Sequence, residues 1–523
     1  MTDRSGRAAL VVGAGILLSR VVGLLRNTAF AWFFGAGPVA DAYNAAFRIP
    51  NAMRNLMGEG TISASFVPVY SRLLAGGDER GARALAAAVL GLLLLSVSVL
   101  TLCGIVAAPL LTRVLAPGYD ADTQGLITRL TQVLFPMTGL MVLSGWCLGV
   151  QNAHRRFFWS YASAALWSVA QIVLLAGWGA RASSTTQLAW WLAWATVGGA
   201  LLQIGAQLPE VVRLVGVLRP TLDRAAPGVR EALRNMVPVT AVLGVVQLSS
   251  FIDQTIASFL ATGALSSLTY ANTIALLPVS LFGVSVAAAA LPELARDSTA
   301  ATLDGLRDRF RGGWQRIVFY IAPSAVVLVL LGDYCAGILY RGGAFGAEAQ
   351  HVVHLVLAAM AVGLLSFASV KLFASVYYAL GDYRTPLVAA LASLVVSAAL
   401  ATGLAVAWRD APHGAAAIAL GSAMGSYANL VILGRGLRRR LGPLYTAAMW
   451  RGTRRIAVAC AIAGGCALLG RWAAGALSPD PHPRLAGPPL LLLFGGTYLA
   501  SAWWMGSREA ARWLRLAPRG GDA

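Results

Sequence analysis

From residue 8 to residue 506 the sequence is a succession of apolar runs, most of them at least the ~20 residues a helix needs to cross a bilayer. They fall at 8–31, 38–70, 84–114, 126–151, 157–180, 187–208, 235–261, 264–291, 315–341, 351–380, 386–408, 414–436, 453–477 and 487–506. In lipid every backbone N–H and C=O must find a partner inside the protein, so such runs become helices or strands of a closed barrel. Barrel strands are about ten residues long and alternate in polarity. These runs are longer and continuously apolar. They predict an all-α polytopic membrane protein of about fourteen spans, several long enough to tilt. Only 12% of the 523 residues are charged, where a soluble chain carries ~25%. No polar stretch is long enough for a soluble catalytic domain.

The loops carry the basic residues. With the N-terminus cytoplasmic, most loop arginines fall inside, as in 435–455 with Arg435, Arg438, Arg439, Arg440, Arg451, Arg454 and Arg455. Outside segments hold only Arg113, Arg129, Arg181, Arg341, Arg409, Arg471 and Arg484. This asymmetry supports the span count and predicts both termini on the cytoplasmic side of the membrane. It also accounts for the net charge of +19 without nucleic acid as a partner. The basic tail 507–523 suits the surface of anionic membrane lipid. MTDRSGR leads into the first run without a small-residue cleavage pattern, so that run is expected to stay as a helix. Cys103, Cys147, Cys335, Cys460 and Cys466 lack CxxC spacing and are expected as small core residues. The histidines are scattered, and His351 and His354 have no acidic or cysteine partner in their run, so no metal site is expected.

The chain also repeats. AFAWFFGAG (29–37) and SFVPVYSR (65–72) bound the second run, as TIASFLATG (255–263) and AALPELAR (289–296) bound the eighth. VQNAHRRFF (150–158) and YALGDYRTP (378–386) follow the fourth and tenth. We expect an N-terminal six-helix lobe over 1–210 and a C-terminal lobe over 211–436, related by a pseudo-twofold axis along the membrane normal. Two extra helices and a basic tail occupy 437–523. Substrate sites in repeated folds of this kind lie near the bilayer midplane, where the repeats meet.

One stretch breaks the apolar rule. Residues 19–68 carry Arg20, Arg26, Asp41, Arg48, Arg54 and Glu59. A charge at the bilayer centre costs at least ~2.5 kcal/mol, so six in two expected helices point to a water-filled cavity that binds something charged. Arg20 and Arg26 stand about 9 Å apart along a helix, and Arg48 and Arg54 share that spacing. Guanidinium forks match phosphate oxygens and keep their charge when partly desolvated. Several on one cavity would suit a pyrophosphate. Arg48 and Asp41, seven apart on one helix face, either pair with each other or face that cavity. Farther on, Asp253 is the acid deep in the second lobe. It is a candidate for a coupling cation or proton, or for pairing with an arginine. Lys371, the only lysine, is a second-lobe charge partner or a snorkelling side chain.

No GxSxG, HExxH or Walker motif occurs, so a transporter is expected rather than an enzyme. The segment SRVVGLLRN…FFGAGPVADAYNAAFRIPNAMRNLMGEGTISASFVPVYS resembles the MurJ (MviN) family, the lipid II flippases of bacterial peptidoglycan synthesis. So do LAPGY (115–119), LGVQNAHRRF (148–157), LLQIGAQLPEV (201–211), FGVSVAAAALPELAR (282–296), LYRGGAF (339–345) and YYALGDYRTP (377–386). The resemblance covers nearly the whole chain. It implies the MOP-superfamily fold, with two six-helix lobes around a cationic cavity and a lipid-tail groove at the last two helices. It implies alternating access that carries the undecaprenyl-pyrophosphate-linked disaccharide-peptide from the inner to the outer leaflet. Arg20, Arg26 and Arg54 match the family's first-lobe arginines, Asp41 and Glu59 its cavity or gate acids, and Lys371 a tenth-helix lysine.

Two departures matter. The family's eighth helix reads YADRLxEFP; here it is TYANTIALLP, with Asn272, Thr273 and Leu276 where Asp, Arg and Glu are expected. The eleventh run, PLVAALASLVVSAALATG, offers Asp253 only serines and a threonine as co-ligands. That disfavours sodium coupling and leaves membrane potential or a proton. No cofactor is expected. The substrate expected is lipid II or a related polyprenyl-pyrophosphate lipid, handled by a monomer. The alternatives are a MOP-type exporter of another polyprenyl-linked oligosaccharide and a non-transporting scaffold for wall assembly.

Overall fold

The apolar runs fold as helices. The computed structural model describes residues 2–280, 303–409, 411, 413–444, 446–477 and 481–515. Among these, pairing of β type is confined to one bridge, Gly342 with Phe345. Among the described residues, eleven helices are long and apolar enough to cross a membrane. The three further expected spans are the first, second and eighth. The second, 38–70, is divided at Gly58, and the eighth, 264–291, runs beyond the described residues, as does the expected motif 289–296. The ninth, 315–341, is interrupted at Leu331.

By contacts the chain forms two units, Met1–Thr262 and Gly263–Ala523. The first contains α1 (Thr2–Phe34), α2 (Pro38–Met57), α3 (Glu59–Ala75), α4 (Glu79–Leu115), α5 (Ala121–Ala153), α6 (Phe158–Trp178), α7 (Thr185–Val215) and α8 (Val229–Ser258). At its centre α5 packs against α2, α3, α4 and α7. Small residues allow the close approach. A Cβ at Gly104 of α4 would meet the Phe135 ring of α5 at 2.1 Å. The opposite face of α4 shows Leu102, Val106 and Leu110, four residues apart and 65%, 80% and 63% exposed. Such a stripe is stable against lipid, not water.

The second unit contains α9 (Ala264–Pro278), α10 (Leu303–Leu330), α11 (Gly332–Tyr340), α12 (Ala347–Ala379), α13 (Arg384–Ala407), α14 (Ala415–Leu441), α15 (Ala447–Leu477), α16 (Pro483–Trp504) and α17 (Arg508–Leu514). Here α12 is central, against α9, α10, α11 and α14. Helix α15 packs on α10 and α16.

The repeat is visible in the element boundaries. Pro38 and Ala264 open α2 and α9, Ala121 and Ala347 open α5 and α12, and Phe158 and Arg384 open α6 and α13; each pair is 226 residues apart. The ends match too. His154, Arg155 and Arg156 donate backbone N–H to Val150, Asn152 and Gln151, as Leu380, Gly381 and Asp382 do to Val376, Tyr378 and Tyr377. The chain turns through a left-handed residue in each case, Arg155 (φ 59°) and Gly381 (φ 73°). In the second turn the Asp382 carboxylate accepts from the Thr385 N–H and hydroxyl at 3.0 and 2.7 Å and from Arg440 at 2.6 Å. The Thr385 backbone and hydroxyl bonds, with Arg440 assisting, hold its pKa down at about 2.

Candidate functional site

Helix α1 places Ser19, Arg20, Gly23 and Arg26 on one face at helical spacing. Helix α2 ends on Arg54 and Asn55 and stops at Gly58, whose N–H closes on Arg54 O at 2.7 Å. Arg54 therefore sits in the last turn, where the partial negative charge of the helix end favours a cation. The first unit encloses a cavity of about 900 Å³ into which Arg20, Arg26, Arg54 and Asn55 face. Its other walls are Ser144 and Leu148 of α5, Tyr161 and Trp167 of α6, Gln203 of α7, and Leu243 and Gln247 of α8. No acid is among the described lining residues. Three guanidinium groups give this cavity a cationic lining.

Arg26 is held in position by its neighbours. Arg26 lies 4.7 Å over the Trp167 ring, a cation–π contact that orients the fork without neutralising it. Its Nη2 donates to Asn27 at 2.9 Å. Trp167 is fixed by its indole N–H on Thr196 O at 3.1 Å. It also stacks on Phe47, which stacks on Tyr43, and the Tyr43 hydroxyl bonds Thr196 Oγ1 at 2.9 Å. Helices α1, α2, α6 and α7 are thus locked around the cavity. Pro50 and Pro136 lie inside α2 and α5. Thr138 of α5 donates to Pro50 O at 3.0 Å, which ties the two helices where α2 loses a ladder bond.

The other expected site residues stand elsewhere. Arg48 donates to Ser250 O of α8 at 2.8 Å, one turn before Asp253, and is the charged group acting on Asp253. Asp41 is buried near the start of α2, 1% exposed. Glu59 opens α3, and its side chain lies outside the described residues. Lys371 is exposed on α12 in the second unit. Thr273 turns its hydroxyl back to Thr269 O at 3.0 Å.

Sequence reasoning passed over the uncharged half of the cavity. Gln203 and Gln207 are visible in LLQIGAQLPEV, four apart on one helix face, but an amide in an apolar run gives a weaker signal than a charge. Gln203 donates to Ser144 at 2.9 Å, Ser144 to Gln207 at 3.2 Å, and Gln207 to Ser163 at 2.6 Å. Below them Gln151 reaches Gln207 O, and Ser160 reaches Gln151.

The twofold-repeated helices and the cationic cavity within the first unit define the class, a polytopic membrane transporter. The profile of the family described as "Lipid II flippase MurJ" matches residues 30–475, and the chain belongs to that family. It is 32% identical to the "Lipid II flippase MurJ" of Burkholderia cenocepacia over 96% of this chain and 98% of that one. It is also 32% identical to the "Probable lipid II flippase MurJ" of Rhizobium tropici over 87% and 85%. Among solved structures, a lipid II flippase MurJ in an inward closed conformation aligns with TM-score 0.78 at 20% identity, covering 97% of this chain and 100% of that one. An inward-facing MATE multidrug-resistance transporter of the MOP superfamily aligns with TM-score 0.66 at 18% identity, covering 81% and 95%. At these identities the structural matches establish the shared fold.

Proposed function

We propose that this chain flips lipid II from the inner to the outer leaflet of the bacterial inner membrane by alternating access, with both termini cytoplasmic. In this reading it works as a monomer of two six-helix lobes, 1–210 and 211–436, with 437–523 added. The observation that carries the proposal is the convergence of Arg20, Arg26 and Arg54 on one cavity. The pyrophosphate of lipid II is the matching anion, and each charge-assisted hydrogen bond to it contributes ~1.5–3 kcal/mol. Arg48, on the Ser250 carbonyl of α8 one turn before Asp253, is assigned to contact between α2 and α8 rather than to the phosphate. The absence of acids in the run 386–403 weighs against sodium as the driving ion and favours the membrane potential or a proton.

The test is replacement of the native flippase in a conditional strain. The wild-type gene is expected to support growth, and Arg26→Ala and Arg54→Ala forms are expected to fail despite normal insertion. Failure of the expressed wild type would overturn the proposal. Growth sustained by both variants would overturn the phosphate clamp.

A further inference from the structure

We propose that Gln203, held by Ser144 and Gln207, reads the sugar next to the pyrophosphate, and that the α5–α7 wall of the cavity is its carbohydrate subsite. The inference rests on the reading that this cavity takes lipid II. It starts from a cost. Ser144 is 3% exposed, and Gln207 and Ser163 are 0% exposed. Uncharged polar groups buried in a membrane bundle are stable only when their hydrogen bonds are made. Here they are made in sequence. Gln207 gives an N–H to Ser163 and receives the Ser144 proton on its carbonyl. Ser144 has then spent its only proton and accepts from Gln203 Nε2 at 2.9 Å.

Ser144 and Gln203 both line the cavity; Ser144 is buried, and Gln203 is the more exposed of the two. It uses one N–H on Ser144, and among the described residues its second N–H and its carbonyl oxygen have no protein partner. A group offering one donor and one acceptor is poorly matched to an anion, which accepts only. It is well matched to a neutral ligand that both donates and accepts, such as a sugar hydroxyl or acetamido group. Gln247 and Asn55 line the same cavity and extend the neutral character. Because the sugar is bonded directly to the pyrophosphate, a wall that shares one cavity with Arg20, Arg26 and Arg54 meets the sugar before the stem peptide. The buried anchor supplies preorganisation, because the Gln203 amide is oriented before the ligand arrives.

The experiment measures binding of three lipids to the purified full-length protein: undecaprenyl pyrophosphate, the same lipid carrying the disaccharide without peptide, and lipid II. In Gln203→Met, which keeps the side-chain volume, affinity for both sugar-bearing lipids is expected to fall about tenfold while undecaprenyl pyrophosphate binds as before. That unchanged binding is also the control for folding. Ser144→Ala, which removes the anchor and keeps the amide, is expected to lower affinity for the sugar-bearing lipids by a smaller factor. Equal loss for all three lipids, no loss for any, or loss confined to the peptide-bearing lipid would each overturn the subsite. A wild-type protein that binds none of them would overturn the proposed function itself.

Discussion

Gly58 is the hinge on which the position of Arg54 depends, and replacing it with alanine tests that dependence. The Gly58 N–H meets Arg54 O at 2.7 Å, and a Cβ on residue 58 would stand 2.4 Å from the same oxygen. That is about 1 Å inside ordinary contact. The obstructing atom is backbone, so no rotamer change relieves it. Two effects oppose each other. Alanine favours a helical conformation over glycine by ~1 kcal/mol. The clash costs ~1–3 kcal/mol, and the stretched N–H bond costs about 1 kcal/mol more. The clash wins, with a net loss of roughly 1–3 kcal/mol. The strain is relieved by moving Arg54 about 1 Å, enough to take a fork-shaped donor off its phosphate. Thermal unfolding and lipid II binding of the purified protein measure both effects. Gly125→Ala is the control, since a Cβ there meets nothing within 4 Å and the residue lies off the cavity. Gly58→Ala protein that melts at or above the wild-type temperature and binds lipid II normally would refute the argument.

Trp167→Leu removes the ring beneath Arg26 and the bond to Thr196. With a cation–π contact contributing ~0.5–2 kcal/mol, affinity for undecaprenyl pyrophosphate is expected to fall between about twofold and thirtyfold, with Trp167→Phe in between, measured by the same binding assay. Asp382 predicts an acid limb in the stability profile. Its folded pKa of about 2 lies below its ordinary 3.8, so its contribution is complete above pH ~4 and is lost as pH falls through about 2. Melting temperatures recorded across that window should separate Asp382→Asn from the wild type above pH ~4 and bring them together near pH 2.

What the sequence made legible follows from what carries a large free-energy signature. Intramembrane charge is expensive, so residues 19–68 announced a cavity, and Arg20, Arg26 and Arg54 do face one. A helix of fixed length ends on fixed turn chemistry, so the repeat was visible at QNAHRR and ALGDYR. The break at Gly58 was missed because a hydropathy run averages over MGEG, and nothing in a run says where one glycine lets backbone approach backbone. Arg48 posed a different problem. Local spacing offered Asp41, while its bond to Ser250 spans 202 residues and depends on how α2 and α8 meet. The amide chain from Gln203 to Ser163 joins three helices. Each of its members alone is an ordinary polar residue, and only packing turns them into a network.

The placement of the cations constrains how transport can work. Arg20, Arg26 and Arg54 all belong to α1 and α2, within one contact unit, and the position that would supply a matching arginine in α9 is Thr273, bonded within its own helix. A ligand held with equal affinity in two conformations shifts nothing between them. If the first unit moved as a rigid body, its arginines would hold the pyrophosphate equally on both sides of the membrane and could not drive release. The difference in affinity must come from rearrangement inside that unit or from contacts made in one state only. Two features of the first unit are placed where such a rearrangement would act. One is the break at Gly58, which sets where Arg54 points. The other is Arg48, which meets α8 at the Ser250 carbonyl and acts on the Asp253 charge one turn on. The Gly58→Ala experiment therefore bears on release as well as binding: a fixed break predicts that loss of lipid II affinity and loss of growth move together.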